Sequence, residues 1–179
     1  MKKAGGTKMR GYVQVYTGDG KGKTTAALGL ALRAAGAGLK VFIAQFVKGA
    51  EYSEVKALVR FSDLITLKQY GRGCFIRQDP CEEDKRMACS GLEEAEEAML
   101  SGTYQIIILD EINIATYFSL FPVERLLEMI RKKPAGVELV MTGRKADPRV
   151  VEIADLVTEM CEIKHYYQKG VEAREGIER

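Results

Sequence analysis

An alternating run, Tyr12-Val13-Gln14-Val15-Tyr16, leads directly into Thr17-Gly18-Asp19-Gly20-Lys21-Gly22-Lys23-Thr24-Thr25, and a long helical pattern follows at once. In a strand, glycine loop and helix of this kind, successive backbone N–H groups turn into one concavity at a helix N-terminus, where an anion is favoured. Lys23 adds a full positive charge to such a cradle, and Thr24 offers a hydroxyl to a magnesium ion held beside the phosphates. The stretch therefore reads as a phosphate-binding loop. Its spacing departs from the usual G-x-x-x-x-G-K-[ST], because Thr17 holds the place of the first glycine and Gly18 leaves only three residues before Gly22-Lys23-Thr24. A shorter loop need not seat a triphosphate in the usual register. A glycine- and lysine-rich surface turn is the bland alternative, and the flanking strand and helix argue against it.

A chain of 179 residues is expected to form one domain with a proper core. Its 46% apolar and 29% charged residues suit a soluble globular protein and exclude a disordered or membrane one. The 27 basic and 25 acidic side chains leave a net charge of +2, too little to argue for nucleic-acid binding. Residues 1–10 are basic but lack an apolar core, and they read as a mobile arm rather than a signal or anchor. Residues 11–165 then form the α/β domain, and residues 166–179 a polar tail. Cys74, Cys81, Cys89 and Cys161 contain no C-x-x-C pair and only one histidine is present, which argues against zinc and for reduced thiols in a cytoplasmic protein.

After the loop the elements alternate. Residues 25–35 are apolar nearly all round except Arg33, which predicts a helix buried against a sheet, and Gly36 and Gly38 end it. Residues 39–46 form a continuous apolar run, as expected of a parallel strand covered on both faces. Gln45 and Lys48 stand at its carboxyl end, the edge where open α/β sheets place ligands, so they are candidate site residues; a solvated turn reads equally well. A charged amphipathic segment at 51–60 and a strand at 64–70 come next. Gly71-Arg72-Gly73-Cys74-Phe75-Ile76-Arg77-Gln78 then has the character of a lid or second-ligand loop, or of a loop whose aromatic packs on the core. Asp79-Pro80-Cys81-Glu82 predicts a helix start with Asp79 as N-cap, and the acidic run at 93–97 predicts a solvated face.

Tyr104-Gln105-Ile106-Ile107-Ile108-Leu109-Asp110-Glu111 is the second decisive stretch. Consecutive bulky apolar residues ending in two carboxylates describe a buried strand that delivers acids to the sheet's carboxyl edge, a Walker B pattern. One acid is expected to meet magnesium directly or through water, while the other orients water, a metal ligand or Thr24. Helices at 112–118 and 123–133 and a strand at 137–142 follow. Arg144 leaves that strand on the ligand side, suited to a phosphate or carboxylate. A short helix opens at Pro148 and a last strand runs over 156–163. His165 is the single histidine, structural or else a catalytic acid or ligand.

Taken together, G-D-G-K-G-K-T-T, Q-F-x-K-G, G-x-G-x-F, L-D-E-I, E-L-V-M-T-G-R, A-D-L-V-T-E-M and H-Y-Y-x-x-G-x-x-A-R-x-G-I-E resemble the P-loop type of ATP:corrinoid adenosyltransferase, over nearly the whole chain. The resemblance implies a single RecA-like P-loop domain, α/β in class, with a mostly parallel central sheet and helices on both faces. It implies transfer of the 5′-deoxyadenosyl group of ATP to the cobalt(I) of a reduced corrinoid, with the triphosphate seated in reverse. In those terms Gly18, Asp19, Gly20, Lys21, Gly22, Lys23, Thr24, Thr25 and Arg144 bind ATP, with Lys23, Thr24 and Glu111 central to catalysis. Thr24, Asp110 and Glu111 serve a Mg2+ ion, and Gly71, Gly73, Phe75 and His165 face the corrinoid. A homodimer served by a flavoprotein or other reductase, without nucleic acid or membrane, is further implied. Where some members carry Phe-x-Trp after the G-x-G turn, Cys74 and Ile76 stand here with Phe75 between them, so Phe75 alone is left for displacing the lower cobalt ligand. Only about ten residues precede the first strand, so the lid formed by a longer N-terminal segment in some members is expected to be short or absent. A P-loop ATPase or kinase, or a nucleotide-dependent switch without chemistry, is the competing reading.

Overall fold

Why the two decisive stretches meet follows from the order of the strands. The computed structural model describes residues 10–50, 52–72 and 80–178. In chain order it contains β1 (Val13–Thr17), α1 (Lys23–Gly36), β2 (Val41–Phe46), α2 (Ser53–Leu58), β3 (Ile65–Tyr70), α3 (Glu82–Leu100) and β4 (Ile106–Asp110). Then come α4 (Ile112–Tyr117), α5 (Val123–Lys132), β5 (Glu138–Thr142), α6 (Pro148–Ile153) and β6 (Leu156–Glu159). The six strands form one sheet in the order β3-β2-β4-β5-β1-β6, and every pairing is parallel. All carboxyl ends therefore share one edge. The loop after β1 and the acids after β4 both lie there, with β5 between their strands, as expected of a RecA-like domain.

Strand period sorts the apolar residues into two cores. Phe42, Ala44, Phe46, Ile107 and Leu109 face α3, α4 and α5, while Val41, Ile43, Ile106 and Ile108 face the alanines of α1 and Leu58 of α2. Both β2 and β4 are buried at every residue, which explains their unbroken apolar runs. Fully burying a side chain the size of Phe46 contributes about 1.5–3 kcal/mol.

Several local expectations need correction. Helix α1 begins at Lys23 rather than Thr25, and only one face is covered: Ala27, Ala31, Ala34 and Ala35 are buried, while Leu32 is 44% exposed. A helix lying on one side of a sheet has no second layer to cover its outer face. At the start of α3 the N-cap is Cys81, with Asp84 closing a capping box by accepting from the Cys81 N–H at 3.0 Å; Asp79 lies outside the described residues. The acidic run is not simply solvated, since Glu94 pairs with Lys68 and accepts from Tyr70, Glu93 pairs with Arg125, and Glu96 with Lys132. The last strand stops at Glu159, exposed throughout, because β6 is an edge paired only with β1.

Candidate active site

The phosphate loop is built from close backbone approach. Gly22 caps α1 with φ 119°, and Gly18 has φ 91°, conformations that favour glycine. A Cβ on Gly18 would stand 2.5 Å from the Met160 carbonyl oxygen and one on Gly20 2.7 Å from it, so only glycine lets the loop lie against the segment after β6. The Gly20 N–H donates to that same carbonyl at 2.6 Å. Lys23 is buried, and its Nζ donates to the carbonyls of Gly18 and Gly20, each at 2.7 Å. Burial lowers the Lys23 pKa, Glu111 opposes that, and Arg144 adds to it. An ammonium held this way, solvated by carbonyl dipoles, is ready to exchange them for an anion.

Asp110 organises the opposite wall. It is fully buried, and each of its oxygens accepts two hydrogen bonds. Oδ1 accepts from Thr24 Oγ1 at 2.9 Å and Thr142 Oγ1 at 2.7 Å; Oδ2 accepts from Lys48 Nζ at 2.9 Å and Gln45 Nε2 at 3.2 Å. Lys48 Nζ also lies 3.3 Å from Thr24 Oγ1. Burial pulls the Lys48 pKa down, but the Asp110 charge and hydrogen bond outweigh it, and the net direction is upward. Gln45 is itself held by Gln69, whose Nε2 donates to Gln45 Oε1 at 3.0 Å. Of the two readings of Gln45 and Lys48, the ligand-edge one describes their position and the solvated turn does not.

Glu111 follows with φ 61°, a left-handed conformation that turns the chain sharply out of β4 into α4. Its N–H donates to Thr142 Oγ1 at 3.0 Å, so one threonine on β5 holds both acids. Burial raises the Glu111 pKa, with Asp110 adding to the effect and Lys48, Lys23 and Arg144 opposing it. A Cβ on Gly143 would come 3.2 Å from Glu111 Oε2 and 3.0 Å from the Asn113 Cβ, and Gly143 has φ 129°. That turn releases Arg144, whose Nε stands 3.9 Å from Asp19 Oδ1 across the mouth of the loop.

A phosphate loop with a basic rim and a pair of acids one strand away is a nucleotide site in outline. The family model for ATP:corrinoid adenosyltransferases BtuR/CobO/CobP matches residues 9–179. The chain belongs to that family. It is 35% identical over 170 residues to a corrinoid adenosyltransferase of Pseudomonas aeruginosa, covering 94% of this chain and 84% of that protein. It is 34% identical over 175 residues to one from Sinorhizobium sp., covering 96% and 82%. It is 31% identical over 170 residues to one from Escherichia coli K12, covering 94% and 86%.

For this adenosyltransferase family member the donor chemistry suits a hard divalent cation. Thr24 spends its proton on Asp110, which leaves its oxygen as an acceptor, met here by Lys48 Nζ, and Glu111 has a carboxylate oxygen by Gly143. Magnesium characteristically takes one or two protein oxygens and fills its remaining positions from phosphates and water, so this small set is sufficient.

Other expected residues lie apart from that wall. Gly73 and Phe75 fall outside the described residues. Gly71 is pressed against the turn after β2, where a Cβ would stand 2.6 Å from both the Lys48 nitrogen and the Val47 carbonyl carbon. Arg72 makes a two-pronged pair with Asp84 at 2.7 and 2.9 Å, fixing the root of its loop to α3. Thr25 is exposed on α1. His165 caps the short 3-10 helix Tyr166–Lys169, its Nδ1 accepting from the Tyr167 N–H at 3.1 Å. Together with Gly20, Lys21 and Cys161 it lines an open cavity of about 350 Å³ behind the phosphate loop. Lys21 does not turn toward the loop's concavity; its Nζ donates to the Ile177 carbonyl at 2.8 Å and lies 3.6 Å from Glu178. Thr142 and Asn113 were not legible as site residues. Asn113 Nδ2 donates to the Gly143 carbonyl at 3.0 Å, while its buried Oδ1 has no partner among the described residues.

Proposed function

We propose that this protein transfers the 5′-deoxyadenosyl group of ATP to the cobalt(I) of a reduced corrinoid, in cobalamin biosynthesis or salvage. The observation that carries the reading is the family match over residues 9–179, on a chain that keeps Lys23, Thr24, Asp110 and Glu111 around one shortened loop. Cobalt(I) donates an electron pair to the ribose C5′, the C5′–O bond breaks, and the triphosphate leaves with that bonding pair. Negative charge then grows at the α end of the chain of phosphates. A triphosphate seated in reverse keeps its γ end in the glycine cradle and turns C5′ outward toward the second substrate.

Each residue has a task on this reading. The amides of residues 18–25 and the Lys23 ammonium bind and orient the triphosphate, and Arg144 meets its outer oxygens. Thr24 and Glu111, with Asp110 behind them, would hold Mg2+, which would supply Lewis-acid stabilisation of the departing phosphate oxygens. Thr142 keeps Asp110 and Glu111 in register. No general base is needed, since cobalt(I) is already a strong nucleophile; positioning and exclusion of water remain for the protein. Gly71, Gly73, Phe75 and His165 are assigned to the corrinoid side. We take the enzyme to be a cytoplasmic homodimer fed by a flavoprotein or other reductase, as the family resemblance implies; among the described residues no helix is long and apolar enough to cross a membrane.

The nucleotide's fate is the test. Incubation with ATP, Mg2+ and chemically reduced corrinoid, followed by chromatography, should give intact triphosphate in step with adenosylcorrinoid, and Lys23→Ala should give neither while remaining folded. Stoichiometric ADP, or rapid hydrolysis of ATP without corrinoid, would instead promote the P-loop ATPase or kinase.

A further inference from the structure

We propose that Lys48 is the resident cation of the nucleotide-free site: its ammonium holds the Thr24 and Asp110 oxygens against bare divalent ions and gives them up only to an ion that arrives with a triphosphate. This rests on the assignment of Thr24, Asp110 and Glu111 to Mg2+ made above. Three observations carry it. The Lys48 Nζ reaches Asp110 Oδ2 at 2.9 Å and Thr24 Oγ1 at 3.3 Å at once, so it sits on the lone pairs a metal would use. The Asp110 carboxylate is already saturated by four donors, and among these only Lys48 is charged. The turn that aims Lys48 is fixed: Val47 has φ 60°, rare for a β-branched residue, and the bare Cα of Gly71 is packed against the Val47–Lys48 peptide.

Two positive charges cannot share that spot. A divalent ion bound to Thr24 would lie within a few ångströms of the ammonium, in a wall where Asp110 is wholly buried and screening is weak. Without nucleotide, Lys48 is held in place, because the wholly buried Asp110 carboxylate pairs with it directly and Glu111 adds to the attraction. A triphosphate changes both terms: it brings oxygens that complete the ion's shell, and it offers the displaced ammonium a phosphate oxygen within reach of its flexible stem. Metal and nucleotide are thereby made to enter together. A positioning role follows as well, since the displaced Lys48 would neutralise one phosphate oxygen as the leaving group forms.

The test uses Mn2+ as a paramagnetic stand-in and reads bound ion by electron paramagnetic resonance, with no turnover involved. Wild-type protein should bind little Mn2+ at about millimolar concentration alone and bind it readily once ATP is added. Lys48→Met should bind Mn2+ without nucleotide at least about tenfold more tightly than wild type, the scale expected for removing one adjacent like charge. Lys48→Gln, checked for folding by circular dichroism, is the second variant and should move the same way. Wild-type binding of Mn2+ that is equally tight with and without ATP would overturn the proposal, and it needs no variant. So would folded Lys48 variants that gain nothing while wild type binds Mn2+ with ATP. Wild type that binds no Mn2+ even with ATP would remove the metal assignment and this proposal together, leaving triphosphate release to decide the reaction separately.

Discussion

Glu111 is less stable in its charged form within the fold than in water, because burial and then the Asp110 charge favour its proton. The sign of the pH effect follows. The folded protein holds this proton more tightly than the unfolded chain, so the relative stability contributed by the site is full below the ordinary carboxyl range. It is lost as pH rises through the raised folded-state value. Glu111→Gln should therefore raise the thermal stability of the free protein at neutral pH. The gain should vanish near pH 4, and turnover at neutral pH should fall about 100-fold. Thermal unfolding across that range, beside an activity assay, checks both halves; a variant less stable than wild type at pH 7 would contradict the electrostatic account. At this scale the sequence was informative about Asp110 and Glu111, since an apolar run ending in two acids, common by itself, gains its meaning from the phosphate loop that precedes it. It was silent about Thr142, because a threonine at a strand end is commonplace until the fold sets β5 beside β4.

Among the elements, α1 shows what composition conceals. Its sequence is apolar nearly all round except Arg33, yet the face buried against the sheet is the alanine stripe, with Leu28 and Leu30 packed at its margin, and the small side chains let the helix lie close over β4 and β5. Ala31→Leu should accordingly destabilise the protein by about 1–3 kcal/mol through overpacking. Leu32→Gln, one residue along on the open face, should change stability by less than about 0.5 kcal/mol. Urea unfolding of the two variants distinguishes a one-faced helix from one buried all round, for which both substitutions would be costly. Helix and strand types were readable from period and length, because burial in parallel strands leaves unbroken apolar runs. Helix ends were less so: the cap at Cys81 depends on an Asp84 side chain turning back, a geometry that a Pro-containing start at Asp79 imitates in sequence.

Across the whole molecule, the order β3-β2-β4-β5-β1-β6 sets one strand between the loop and the acids, and that spacing is what Thr142 fills. The tail was not legible as part of this arrangement. It returns to Lys21 through Ile177 and Glu178, and Arg174 lies 5.1 Å over the Tyr166 ring while pairing with Glu178. Polar contacts of that kind leave no periodic signature. The edge strand β6 has a further consequence, which belongs to kinetics. Its residues are exposed and paired on one side only, so their amides should be among the first in the sheet to exchange with solvent. Yet the Met160 N–H is bonded to the Thr17 carbonyl at 2.9 Å and the Met160 carbonyl to Gly20, which stitches this fraying margin to the phosphate loop. Filling the loop with ATP should therefore slow deuterium uptake at residues 156–161, while α5 exchanges unchanged. Protection confined to the loop would mean the stitch transmits nothing. If it does transmit, a readily opened hem of the protein is also the one that reports when its nucleotide is home.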